Sequence, residues 1–283
     1  MTEVPNIFDR KTYAQHRARA GESFLLRDAA EGMAARLSAV TRAFEHGLDL
    51  SSRDESFAIL KPFAAQWTRT SLSGGGVVTE EDALPFAAES FDLVTSVLSL
   101  HAVNDLPGAL VQIRQVLKPD GLFLAALFGG ETLAELRHAF ASGESEAAGG
   151  ISPRVAPFAD VRSLGALLQR AGFALPVADS ERTSVRYAKF ETLVSDLRAL
   201  GETNALAERR KRFLPRAVLA ASLAHLMDED GKFPATFEIV FLTGWSPHES
   251  QPRPLAPGSA KARLADALGV VERPAGEKAD RRD

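Results

Sequence analysis

The sequence contains no cysteine, and this absence excludes several kinds of chemistry at once. The chain can form no disulfide, it offers no thiolate nucleophile, and it cannot bind zinc or an iron–sulfur cluster through cysteine. Its six histidines include no pair spaced four residues apart around a carboxylate, which is the spacing of a helical zinc site. We therefore predict that the chain has no metal site.

Long apolar runs and a strong excess of charge are also missing. The longest apolar stretch, 122–128, is too short to span a bilayer. The N-terminal segment 1–21 lacks the apolar core of a secretory signal peptide. A net charge of −4 argues against a protein that binds nucleic acid through its overall charge. We therefore expect a cytoplasmic protein with no transmembrane segment and no nucleic-acid partner.

Two apolar runs in the middle of the chain predict buried strands. The segments 90–100 (SFDLVTSVLSL) and 122–128 (LFLAALF) are rich in apolar and β-branched residues, which is typical of strands covered on both faces. Between them, segment 106–117 repeats apolar residues at helical spacing, and another helix is expected to begin at Glu131. This alternation predicts βαβ units and therefore an α/β fold with a parallel sheet.

The flanking segments differ in pattern from this central region. Segment 12–40 has the spacing of an amphipathic helix that breaks near Gly21, segment 143–150 predicts a flexible loop, and the charged run 208–212 is expected on a solvated helix face. We expect four regions: an N-terminal helical segment (1–45), an α/β domain (46–258), a helical insertion within that domain (187–232) and a flexible tail (259–283).

Several segments resemble a known superfamily. The order of strand, Leu84-Pro85-Phe86 turn, SFDLV strand, helix, LKPDG turn and strand is similar to that of class I S-adenosylmethionine-dependent methyltransferases of type 11. The stretch 98–137 resembles, more specifically, the bacterial and mitochondrial relatives of NADH dehydrogenase complex I assembly factor 5. The segments IFDR (7–10) and GWSPHESQPRP (244–254) also match that group. The resemblance extends over 7–258.

The resemblance implies a Rossmann-like, mostly parallel seven-stranded sheet with the region of the second strand curtailed. It also implies S-adenosylmethionine as the cofactor, bound at the carboxyl ends of the first strands. Asp49 stands at the end of the first strand, and Glu80 stands where the family has an acid beside the adenine. The cofactor-binding residues implied in this way are Asp49, Ser51, Glu80, Glu81, Ser96 and Leu98.

The cofactor loop departs from the family pattern. Ser51, Arg53 and Glu55 stand at three positions where the family has glycine, and side chains there obstruct the close approach of a nucleotide. An acid that holds the ribose hydroxyls is expected about 20 residues beyond the first strand, and this position falls on Arg69. The segment 61–79 contains no Asp or Glu. The sequence therefore predicts a degenerate cofactor loop.

Candidate residues for chemistry or partner binding follow the two buried strands. His101 lies at the carboxyl end of the first of them, where open α/β sheets place their ligands, and is the candidate catalytic residue. A histidine held by the Asn104-Asp105 turn is the structural alternative. Substrate or partner contacts are expected from Gly129, Gly130, Glu131 and Arg137. The structural alternative there is a strand-to-helix turn that Arg137 holds in place.

Three functions remain open from the sequence. The resemblance implies an assembly factor of the complex I type that acts on a protein partner, with arginine hydroxylation of an iron–sulfur subunit of complex I as its activity. The second hypothesis is an active S-adenosylmethionine-dependent methyltransferase on a small molecule or a protein. The third is a non-enzymatic assembly or scaffold protein, because a fold alone does not decide activity.

Overall fold

The computed structural model describes residues 6–252, Asp266 and Gly269. The chain divides into two units, Met1–His248 and Glu249–Asp283. The helices and strands given below belong to the first unit, while the second is described only at its first four residues and at Asp266 and Gly269. Most of the predicted tail therefore lies outside the described residues, and the division into four regions stays a prediction.

The described part of the first unit contains seven strands: β1 (Phe44–Asp49), β2 (Ala64–Ser71), β3 (Val77–Val78), β4 (Phe91–Val97), β5 (Leu117–Phe128), β6 (Ala174–Tyr187) and β7 (Phe233–Trp245). They form one sheet in the order β3-β2-β1-β4-β5-β7-β6. Strands β1 to β5 pair in parallel, and β7 runs antiparallel to β5 and β6. This mostly parallel sheet confirms the predicted α/β, Rossmann-like fold.

Helices cover the sheet. They are α1 (Arg10–Ala18), α2 (Phe24–Ser38), α3 (Asp54–Leu60), α4 (Leu106–Val116), α5 (Ala134–Ala148), α6 (Val161–Arg170), α7 (Phe190–Leu200) and α8 (Arg216–Leu226). The break expected near Gly21 falls between α1 and α2. Within the described residues, no helix combines the length and the apolar character that a membrane crossing requires.

Alternate side chains of β5 enter two different cores. Leu124 and Phe128 pack in a core that includes residues of α2, α5 and α7. Phe123 and Leu127 pack in a second core that includes residues of α4 and α6. Because successive side chains of a strand point to opposite faces, helices bury both sides of β5. This double burial accounts for the continuous apolar run in the sequence.

In the region of the second strand, which the sequence predicts to be curtailed, the helix is short but the strand is not. β2 has eight residues and pairs with β1 along its length, from Phe44 opposite Ala64 to Asp49 opposite Arg69. The short element is the preceding helix α3, which has seven residues. Most side chains of β2 are only half-buried or exposed, so the segment lacks the apolar run by which β4 and β5 were recognised.

The predicted loop at 143–150 is wrong, because α5 continues to Ala148. Gly143 lies inside this helix where α8 approaches closely, and a Cβ at this position would come 2.4 Å from the backbone nitrogen of Ser222. The neighbouring Glu144 is fully buried, and Ser152 and Arg154 donate hydrogen bonds to its carboxylate. The glycine therefore serves helix packing and not chain flexibility.

The charged run 208–212 does not lie on a helix either. It belongs to the irregular connection between α7 and α8. Arg209 donates hydrogen bonds to Oδ2 of Asp9 at 3.0 Å and to Oγ1 of Thr12 at 2.8 Å. Pro215 restricts the residue before it to extended backbone, so a helix begins only after the proline. This arginine therefore ties the connection to the start of α1.

Candidate functional site

Two cavities lie at the edge of the sheet where the parallel strands end. The chain leaves β1 and β4 in opposite directions there, which is the place where open α/β sheets bind ligands. The first cavity, which we call the polar cleft, has a volume of about 540 Å³ and lies beside the ends of β1 and β2. The second, the apolar cavity, has a volume of about 490 Å³ and lies beside the end of β5, between α5 and α7.

Asp49 is a fully buried acid at the end of β1. Its Oδ2 accepts a hydrogen bond from Nε of Arg69 at 3.3 Å, and its Oδ1 accepts one from Oγ1 of Thr95 at 3.4 Å. Burial nevertheless raises the pKa of Asp49 to about 6, because the charged carboxylate loses its water and these bonds restore only part of that loss.

Ser51 and Leu98 follow the two central strands with positive φ angles of 56° and 46°. Ser51 stands where the family has glycine, and the left-handed backbone explains why glycine suits this position. The backbone nitrogen of Ser51 donates to Oγ1 of Thr70 at 3.2 Å. Ser96, predicted beside them, is buried and donates to the carbonyl oxygen of Leu50 at 3.2 Å. Ser51 and Leu98 thus shape the strand ends through their backbone, whereas Ser96 contributes a side-chain hydrogen bond.

Arg17 of α1 bridges the ends of β1 and β4. Its guanidinium donates to the carbonyl oxygen of Ser51 at 2.6 Å and to that of Leu98 at 2.7 Å. A second arginine of the same helix, Arg10, binds both acids predicted on the adenine side. It donates to the half-exposed Glu80 at 3.2 Å and to the buried Glu81, which also accepts a hydrogen bond from Ser99. The hydrogen bonds of these two arginines therefore hold helix α1 against the edge of the sheet.

Arg69 is the residue on which the spacing expected for a ribose-binding acid falls. It donates to Asp49, to Oδ1 of Asp54 at 2.7 Å and to the carbonyl oxygen of Ser52 at 2.9 Å. A guanidinium only donates hydrogen bonds, so Arg69 cannot accept a hydrogen bond from the hydroxyls of a ribose. The side chain therefore locks the cofactor loop onto β2 instead of leaving it open.

Arginine side chains occupy the part of the polar cleft that the resemblance assigns to S-adenosylmethionine. Arg69 lies at the position expected for the ribose acceptor, and Arg17 bridges the ends of β1 and β4. Two buried atoms of the cleft, Oγ of Ser51 and Oε2 of Glu55, have no hydrogen-bond partner within the described part of the chain. The cleft therefore retains two acceptors but not the carboxylate at the end of β2 that would hold a ribose.

His101 lies in a short 3-10 turn (Leu100–Ala102) that follows β4, and its side chain is buried. The ring packs against Phe128 and Phe158 with centroid distances of 4.9 and 5.5 Å. Its Nε2 lies 3.1 Å from Oε2 of Glu202, but neither ring nitrogen meets the geometry of a hydrogen bond with a described residue.

The turn that follows does not hold this histidine. Asn104 binds the backbone of Phe8, and Asp105 caps α4 by accepting from the backbone nitrogen of Gly108 at 2.8 Å. The structural alternative considered for His101 from the sequence is therefore wrong, and the partner of the ring is Glu202.

Glu202 is the functional candidate that sequence reasoning missed. It follows the left-handed Gly201 that ends α7, and Oε1 of Glu202 accepts a hydrogen bond from the hydroxyl of Tyr13 at 2.9 Å. Burial raises the pKa of this carboxyl, but the contacts with His101, Arg17 and Tyr13 outweigh burial and hold the pKa below its ordinary value. No motif marks an isolated acid in a connection, so only the fold reveals it.

The apolar cavity is walled mainly by hydrophobic side chains. Four of the residues around His101 line it, namely Tyr13, Phe128, Phe158 and Glu202. Further lining residues come from α5, α7 and α8. The histidine is thus in contact with Glu202, which lines the cavity.

The four predicted substrate or partner residues shape the loop after β5. The backbone nitrogen of Gly129 donates to the carbonyl oxygen of Glu238, and that of Glu131 donates to its Oε2 at 3.0 Å. A Cβ at Gly129 would come 2.5 Å from the same oxygen, so a side chain here would displace the Glu238 carboxylate. Arg137 donates to the carbonyl oxygens of Gly130, Thr132 and Ala156. The structure thus places these residues in a turn that Arg137 holds, and their contact with a substrate or partner stays a prediction.

Comparisons with known proteins agree with this architecture. A family model described as a methyltransferase domain matches residues 37–125. The YcgJ protein from Bacillus subtilis superposes with a TM-score of 0.54 at 14% identity, over 78% of this chain and 99% of that protein, which shows the fold alone.

Curated relatives share more of the sequence. The mitochondrial arginine-hydroxylase NDUFAF5 of Danio rerio is 45% identical over 194 residues, which cover 67% of this chain and 60% of that protein. The human protein of the same name is 44% identical over 217 residues, or 75% of this chain and 62% of that protein. The malonyl-[acyl-carrier protein] O-methyltransferase of Gallionella capsiferriformans is 36% identical over 60% of this chain and 58% of that protein. The chain spans about three fifths of the length of these relatives.

Fold and sequence together establish that it belongs to the class I S-adenosylmethionine-dependent methyltransferase superfamily and that, within it, it is of the NDUFAF5 type.

Proposed function

We propose that this chain acts on an arginine side chain of a protein partner, as the name of its arginine-hydroxylase relatives indicates for those proteins. A subunit of respiratory complex I is the proposed partner, reached from the cytoplasm. The observation that carries the proposal is the apolar cavity, whose wall presents the carboxylate of Glu202. An arginine side chain needs an apolar surface for its stem and an anion for its guanidinium.

The contacts around His101 give it a place in this function. The ring lies between aromatic side chains of the cavity wall and touches Glu202 through Nε2. We therefore assign His101 as a positioning residue, which holds the carboxylate toward the cavity. This role replaces the direct catalytic role expected from the sequence, because Tyr13, Phe128 and Phe158 separate the ring from the cavity.

Methyl transfer is the second candidate, and the similarity to a malonyl-[acyl-carrier protein] O-methyltransferase favours it. The polar cleft counts against it, because Arg69 replaces the ribose acid and Arg17 bridges the strand ends. We propose that the cofactor loop is degenerate and that the polar cleft does not hold S-adenosylmethionine.

Tandem mass spectrometry of complex I subunits tests the proposed function. Subunits are purified from a strain that lacks this gene and from the same strain after the gene has been restored. We expect one arginine that is heavier by one oxygen atom only in the restored strain. An added methyl group would instead support the methyltransferase, and restored assembly without any change of mass would support a scaffold.

A further inference from the structure

We infer that Glu202 is the specificity-determining residue of the apolar cavity, where its carboxylate receives the guanidinium of an entering arginine side chain. This inference rests on the proposed function and adds the residue that makes the site selective. The apolar cavity and the placement of one acid in its wall carry it.

The shape and lining of the apolar cavity suit a long side chain with a charged end. Phe128, Phe158 and Phe190 line it together with leucines of α5 and α7, so a methylene stem finds apolar surface along its length. Aromatic faces also attract a guanidinium, which stacks on them. At about 490 Å³ the cavity lies within the range of small-ligand sites.

The carboxylate of Glu202 has room for a further donor. Tyr13 donates to Oε1 at 2.9 Å, and Nε2 of His101 lies 3.1 Å from Oε2. Two carboxylate oxygens offer about four acceptor positions between them, so each oxygen keeps a free position. A guanidinium donates in a fork that matches two carboxylate oxygens.

No other acid competes for that role among the described residues that line the cavity. Two arginines also line it, but neither opposes an entering cation strongly. Arg154 is paired with the buried Glu144, to which its Nε donates at 3.0 Å. Arg198 is exposed on α7, where water screens its charge. Among the described lining residues, Glu202 is therefore the acid available to a guanidinium.

Glu202 also makes structural contacts with α1, and the test must separate the two roles. Glu202→Gln keeps a carbonyl oxygen for the hydroxyl of Tyr13 but removes the charge. Glu208→Gln is the matched control, because this exposed acid lies in the same connection between α7 and α8. Citrulline supplies the matched ligand control, since it has nearly the shape of arginine without its charge.

Isothermal titration with the peptide acetyl-Gly-Arg-Gly-amide and its citrulline counterpart tests the inference. We expect the wild-type protein and Glu208→Gln to bind the arginine peptide at least about tenfold more tightly than the citrulline peptide. Glu202→Gln should lose this preference, and Glu202→Asp, which keeps the charge, should retain it. If Glu202→Gln does not fold, the comparison of the two peptides on the wild-type protein still decides whether the site prefers arginine.

Equal binding of the two peptides to the wild-type protein would overturn the inference, and so would an arginine preference that survives in Glu202→Gln. Either result, found together with the oxygen-modified arginine in the restored strain, would remove the role of Glu202 and leave the proposed function standing. Loss of both the preference and the modification would remove the proposed function as well.

Discussion

Nε2 of His101 lies 3.1 Å from Oε2 of Glu202, and this contact joins the end of β4 to the connection that follows α7. The two residues are far apart in the sequence and belong to different parts of the fold. Their contact positions a buried carboxylate at the wall of the apolar cavity, next to the aromatic rings that also surround the histidine.

Asp49→Asn should change how stability depends on pH. Because burial raises the pKa of Asp49 to about 6, the wild-type protein keeps the full contribution of the protonated acid below pH 3.8 and loses it as the pH rises through about 6. The asparagine variant does not ionise there. We expect its free energy of unfolding, relative to wild type, to rise across this window by on the order of 3 kcal/mol. Urea unfolding at a series of pH values measures this difference.

The control for this experiment is Asp54→Asn, which removes a charge from the same Arg69 at an exposed side chain. This control measures how the free energy of unfolding changes when the carboxylate removed is exposed and not buried. A stability difference for Asp49→Asn that stays constant with pH would contradict the prediction.

Arg17→Lys should weaken the attachment of α1. The arginine donates to the carbonyl oxygens of both Ser51 and Leu98, and a single ammonium cannot reproduce the planar fork. We expect the free energy of unfolding to fall by roughly 2 kcal/mol and amide hydrogens of α1 to exchange faster. The exposed Arg19→Lys at the end of the same helix is the control. Unchanged exchange in α1 after Arg17→Lys would show that this arginine does not hold the helix.

Gly143→Ala should destabilise the packing of α5 on α8. The new Cβ would come 2.4 Å from the backbone nitrogen of Ser222, so the helices must move apart. Overpacking of this kind costs about 1–3 kcal/mol. In Gly165→Ala, on α6, the nearest atom lies at an ordinary 3.5 Å, and the gain in helix propensity should stabilise the protein by up to about 1 kcal/mol. Denaturant unfolding of both variants measures the contrast, and equal effects would contradict it.

Titration with S-adenosylmethionine should show no binding tighter than about 1 mM. The expectation rests on the proposed degenerate loop, in which Arg69 takes the place of the ribose acid and Arg17 bridges the strand ends. Calorimetry with the cofactor and with its demethylated product measures this, and the Asp49→Ala, Glu80→Ala double variant serves as the control. Micromolar binding that the double variant abolishes would contradict the proposed degenerate loop.

The parts of the fold predicted from the sequence are those with a strong local signal. Strands β4 and β5 are covered on both faces, and this burial leaves continuous apolar runs. The half-buried β2 carries no such run. Gly143 belongs to a segment rich in small and polar residues, a composition that predicts a loop. Its packing partner Ser222 is distant in the sequence, so the close approach of two helices cannot be inferred from the segment itself.

Local signal also separates the site residues that the sequence could propose from the one that it could not. Asp49, Ser51 and Glu81 stand in a recognisable family pattern at strand ends, and the structure brings them to the same edge of the sheet. Glu202 stands in no pattern, and its importance arises only when α7 places it against His101. A contact between isolated residues of different elements produces no periodicity or spacing in the sequence from which it could be predicted.

A crystal structure of the protein with bound acetyl-Gly-Arg-Gly-amide tests the central claim most directly. The account predicts that the arginine stem lies along Phe128 and Phe158 in the apolar cavity, with the guanidinium within hydrogen-bond distance of both carboxylate oxygens of Glu202. An arginine bound in the polar cleft, or bound in the apolar cavity with its guanidinium away from Glu202, would contradict it.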